Sequence, residues 1–127
     1  MTTRLLLLTA ALALAGCGSP KPLPMAATPE SSRAALTSAL DGWKAGKTPR
    51  ELAGGEPPLL FVDDDINRSG LVEYKIDGPG LPNGTGYSYV VTLTLRDKGA
   101  ATTRVKKVAY TAVTEPKHAV TKEDRQP

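Results

Sequence analysis

The stretch "YSYVVTLTLR", residues 87–96, decides the fold. Tyr87, Tyr89, Val91, Leu93 and Leu95 alternate with Ser88, Val90, Thr92, Thr94 and Arg96, the period of two that marks a strand with one buried face. Asp97-Lys98-Gly99-Ala100 then supplies a hairpin turn, and Thr102 to Val113 reads as the return strand. Within that strand Val108, Tyr110 and Ala112 share a face, while Val105 falls on the other; a bulge near Lys106-Lys107 is expected to reconcile them. After Glu115-Pro116, Ala119 to Thr121 is expected to add a last edge strand. Upstream, Leu71 to Ile76 also alternates, and Leu59 to Val62 is a short apolar run. Gly78 to Gly86, rich in glycine and proline, reads as a long flexible hairpin loop.

Ahead of the strands the period changes. Thr28-Pro29-Glu30 is a cap, a proline at the first helical position and an acid in the first turn. Leu36, Ala39, Leu40 and Trp43 recur at helical spacing, so a helix runs to about Lys44 and ends at Gly46, with Trp43 packed in the core. Thr48-Pro49-Arg50-Glu51 is a second start signal, a capping box, closed after Leu52-Ala53 by Gly54-Gly55. Pro57-Pro58 then forces extended chain. One amphipathic helix followed by a meander predicts an α+β domain, the helix covering one face of an antiparallel sheet of about four strands.

The beginning of the chain, MTTRLLLLTAALALAGC, carries a cationic Arg4, an apolar run from Leu5 to Leu14, and small residues. The run is too short for a spanning helix, which needs about 20 apolar residues, and reads as an export signal. Leu14-Ala15-Gly16-Cys17 resembles the lipobox of bacterial lipoproteins. That resemblance implies cleavage before Cys17 and diacylation of its thiol, and Gly18 in place of aspartate implies passage to the outer membrane, facing the periplasm. Two or more chains satisfy what stable anchoring requires. Cys17 is the only cysteine of the chain, so no internal disulfide forms.

The expected organisation is a signal over 1–17, a proline-rich tether over 18–28, one domain over 29–122 and a polar tail over 123–127. A polyproline-like tether rises about 3.1 Å per residue, which holds the domain some 30 Å from the lipid. Helix first, then strands, resembles the cystatin-like or NTF2-like folds. Trp43-Lys44-Ala45-Gly46-Lys47-Thr48-Pro49 is similar to a turn in small lipoproteins of planctomycete-type bacteria, a resemblance that implies no particular activity.

The one segment with the look of a chemical site is "DDDINRSGLVEY", residues 63–74. With Asp65 at the first position of a calcium loop, Asn67, Ser69 and Gly70 fall at the third, fifth and sixth. Ile76, however, stands where a bidentate glutamate belongs, and strands rather than helices flank the segment. Beginning at Asp63 moves the glycine out of place. The turn chemistry of Asp, Asn, Ser and Gly therefore reads first as a solvated connection, with Asp63, Asp65, Asn67 and Ser69 the only metal candidates.

Gly78 to Gly86 precedes a strand, not the helix a phosphate-cradling loop opens. His118 is the only histidine and the thiol is taken by lipid, so nothing assembles a nucleophile with its base, and no cofactor is called for. Late basic residues (Arg96, Lys98, Arg104, Lys106, Lys107, Lys117, Lys122) with interspersed acids and a net charge of +3 read as a solvated sheet face, not a nucleic-acid surface.

The expected protein is therefore a non-enzymatic envelope lipoprotein that binds or spaces an envelope protein or cell-wall partner. A cystatin-like protease inhibitor using Leu81 to Gly86 as a wedge, and a calcium module over Asp63–Glu73, are the competing classes. A ligand pocket is expected on the sheet face the helix leaves open.

Overall fold

A computed structural model describes residues 27–124; Cys17, the signal and tether residues before 27, and the end of the polar tail lie outside them. The first helix, α1 (Pro29–Lys44), starts where Thr28 accepts a hydrogen bond from the Ser31 amide and Ser31 returns one from the Thr28 amide. Its buried stripe is Ser32, Ala35, Leu36, Ala39, Leu40, Gly42 and Trp43. The short α2 (Pro49–Ala53) carries the expected capping box between Thr48 and Glu51.

Five strands follow: β1 (Leu59–Val62), β2 (Ser69–Asn83), β3 (Gly86–Asp97), β4 (Arg104–Val113) and β5 (His118–Lys122), with a 3-10 turn over Asp64–Asn67. They form one open sheet in the order β1-β5-β4-β3-β2. β2 to β5 are antiparallel neighbours, whereas β1 runs parallel to β5. The fold is α+β, as expected, but the sheet is mixed and five-stranded. β5 is also not an edge: β1 shields it, and β1 and β2 are the two edges.

The alternation in β3 settles which face is buried. Tyr89, Val91, Leu93 and Leu95 point to α1 and are fully buried, each such side chain contributing about 1.5–3 kcal/mol by leaving water. Opposite them on β4 stand Tyr110, Val108, Lys106 and Arg104, in continuous register. The bulge expected near Lys106-Lys107 is therefore absent, and Val105 lies out on the uncovered face, 70% exposed. The bulges fall instead in β2, between Leu71 and Glu73 and between Asp77 and Leu81.

The second of these corrects the expected loop at Gly78–Gly86. The chain continues as strand to Asn83, and only Gly84-Thr85 turn it, Gly84 with a φ of +60° that glycine adopts without strain. Cross-strand bonds from β3 outweigh the local glycine and proline composition. Ala27 is buried here, its amide bonded to the Thr85 carbonyl at 2.9 Å, so the chain enters the domain at the β2–β3 turn.

Candidate functional site

Two places on the helix side of the sheet gather polar side chains. The first is a cleft of about 590 Å³ between α1, α2 and the start of β1, within the usual range of ligand pockets. Small residues of α1 (Ala34, Ala35, Gly42) and its C-cap Ala45 leave the space, and Leu52, Leu59 and His118 line it. Asp41, Glu51 and Glu56 supply carboxylates against the one ammonium of Lys47. His118, the first residue of β5, pairs with Leu59 of the parallel strand β1, which is what brings a late residue under an early helix. The cleft thus lies on the helix side, not on the uncovered face where the sequence placed it.

Asp41 also ties this side of α1 to the sheet. Tyr74 of β2 donates to Asp41 Oδ1 at 2.6 Å; burial and the neighbouring carboxylate push the phenol up to about 12.

The second place is the aspartate turn. Asp63, Asp64 and Asp65 bring their carboxylate oxygens within 4.8 Å of one another, and among the described residues this is the one such acidic group. Asp63 and Asp65 are buried and Asp64 is exposed, so the segment is only in part the solvated connection expected. Each acid has cationic partners. Lys106 Nζ sits 2.6 Å from Asp65 Oδ2, Arg104 3.6 Å from Asp65 Oδ1 and Arg68 3.1 Å from Asp64. Lys122 lies between all three, bonded to Asp64 and 3.5 Å from Asp63. The Tyr110 hydroxyl donates to Asp63, and the Asp65 amide donates to Asp63 Oδ1 at 2.8 Å, which caps the 3-10 turn.

The electrostatics follow from this packing. Burial alone raises the Asp65 carboxyl, but the hydrogen bond and charge of Lys106 outweigh it and hold it below the usual range. The hydrogen bond from Lys122 lowers Asp64 in the same direction. Burial and the adjacent Asp63 push the Tyr110 phenol well above its ordinary value, so it remains a donor.

Of the metal candidates, Asp63 and Asp65 do converge. Ser69 does not join them: its hydroxyl donates to Asp97, and its carbonyl accepts from Trp43 Nε1 at 2.9 Å. Asn67 is exposed. Glu73 leaves on the uncovered face of β2, paired with Thr94. What the sequence missed is that Lys106, Lys122 and Arg104, taken as a solvated face, are the counter-charges of this turn, 41 and 58 residues away in the cases of Lys106–Asp65 and Lys122–Asp64. A further cavity of about 330 Å³ beside them is lined by Asp65, Arg68, Asp97, Lys98 and Arg104.

No protein-family model, curated protein or solved structure matches the chain.

Proposed function

We propose that the chain is a bacterial envelope lipoprotein, fastened by acyl chains on Cys17, whose α+β domain is a non-catalytic binding module on the periplasmic side of the outer membrane. The observation that carries the reading is Leu14-Ala15-Gly16-Cys17 directly behind an apolar run, with Cys17 the only thiol. Among the described residues no helix is long and apolar enough to cross a membrane, and acylation supplies an anchor without one. The finer fold, cystatin-like or NTF2-like, is proposed on the order of one long helix followed by an antiparallel meander; β1, added in parallel at the edge, stands outside that order.

The binding role rests on the acidic cleft beside His118. The Asp63–Tyr110–Lys122 group is neutralised within itself, which favours binding over catalysis there. The partner is an envelope protein or a wall component rather than nucleic acid.

Radiolabelled palmitate should enter the wild-type protein and send it to the detergent phase on phase separation, and Cys17→Ser should lose both; an unaltered partition would remove the anchor. One observation favours an inhibitor as the second reading, since Leu81 is 67% exposed close to the β2–β3 turn, where a wedge would need it. Assays against cysteine proteases decide that case.

A further inference from the structure

We propose that β1 is a docking edge for an extended, basic segment of a partner protein, which adds to the sheet as another strand and directs a cationic side chain into the cleft beside Leu59. The inference rests on the binding-module reading and names the partner's chemistry.

The two edges of the sheet are built differently. β2 carries the bulges, Gly78, Pro79, Gly80 and Pro82, and the charges Glu73, Lys75 and Asp77. Its carbonyls are also met from α1, Arg33 reaching Gly78 O at 3.4 Å and Trp43 reaching Ser69 O. These are the devices that stop an edge from recruiting another strand. β1 is only four residues long and packs against α2, but it lacks the devices of β2. Leu59-Leu60-Phe61-Val62 holds no charge, proline or glycine, and it pairs on one side only. Leu60 and Val62 stand 57% and 47% exposed.

The faces beside β1 define what would fit. On the uncovered side, Leu60 and Val62 pair with Ala119 and Thr121, and Ala119 with Val113, so an added strand meets an apolar row there. On the helix side Leu59 opens into the cleft, whose acids Asp41, Glu51 and Glu56 outnumber Lys47. An incoming strand alternates its side chains between these two faces. The matching segment is apolar at one set of alternate positions and basic at the other. A second copy of this chain fits less well: Leu59-Leu60-Phe61-Val62 carries no basic side chain to meet the cleft acids.

The test uses the full-length acylated protein in detergent micelles and a fluorescein-labelled octapeptide alternating valine with lysine and threonine. Fluorescence anisotropy should show saturable binding, and the amides of residues 59–62 should exchange more slowly with peptide present. Methylating the peptide nitrogens along one edge should weaken binding at least tenfold while leaving its side chains intact. Glu51→Gln with Glu56→Gln, which keeps the α2 cap acceptor, should weaken the lysine peptide severalfold and leave a norleucine version unchanged. Equal binding of the edge-methylated peptide, unchanged exchange in β1, or a dimer already protecting β1 before peptide is added would each overturn the proposal. Palmitate labelling of the same preparation reads the anchor separately, so failure of the edge and failure of the lipoprotein reading give different results.

Discussion

Asp65 is a nearly buried carboxylate whose charge is kept by Lys106 and Lys122. Because the folded Asp64 and Asp65 titrate below the ordinary carboxylate value, their contribution is in place above about pH 3.9, the unfolded value, and is lost as pH falls through the depressed folded ones. Lys122 is shifted upward, burial lowering it but the Asp64 hydrogen bond and the aspartate charges prevailing. Its contribution is present below about pH 10.4 and lost as pH rises through the raised folded value. Urea midpoints should therefore fall in acid. Asp65→Asn should lose about 1.5–3 kcal/mol at pH 7, the value of hydrogen bonds to a charged group, and show a shallower acid decline than the parent. Superimposable acid limbs for the two proteins would refute the assignment.

At the scale of the element, β2 makes the most exacting claim. Its second half was expected to be loop and is strand, and Gly80 faces the ring of Tyr89 so closely that a Cβ there would lie 2.6 Å from Cζ. Tyr89 cannot yield easily, since Ser32 Oγ and the Pro29 carbonyl hold its hydroxyl at 2.7 and 2.9 Å. Gly80→Ala should thus destabilise by about 1–3 kcal/mol, the usual cost of overpacking, read as a lower melting temperature. A free loop would leave it unchanged.

The same strand shows how far the sequence was legible. α1, α2 and the turn at Asp97 to Ala100 announce themselves through caps, a proline and Gly99, whose φ is +79°, all signals contained within a few residues. The core face of β3 was equally plain from alternation, and that of β4 from Val108 to Ala112. Residues 78–83 were not, because 81–83 are held by pairing with β3 across the bulge at 78–80, and the parallel match of β1 to β5 has no local signature at all. Val105 misled for a related reason: counting it as core required a bulge that its exposure makes unnecessary. For the site, His118 was noticed, but the cleft around it depends on that parallel pairing. The cations of the aspartate turn lie on strands distant in sequence, where composition shows only alternating charge.

Over the whole molecule, all 13 acids of the chain and all its basic residues except Arg4, Lys21 and Arg125 lie within residues 27–124, which leaves 13 basic groups and a formally neutral domain. Attraction for a partner must then come from local groupings such as the cleft acids, and not from a global field. The aspartate turn, with its cations already bound, has little to gain from a metal. Calcium at millimolar concentration should leave the melting temperature where it was, since only a ligand that prefers the folded state raises it; an upward shift would restore the calcium module.

The bond from Ala27 to the Thr85 carbonyl has a mechanical side. Were Cys17 acylated as proposed, tension drawn along the chain would reach the tip of the longest hairpin first, and then the start of α1 through Thr28. The Ala27 bond is a single link across that path, so modest pulling should release it and lengthen the leash by a residue or two. Stronger pulling would load the Ser32–Tyr89 contact, which clamps helix to sheet at the same end.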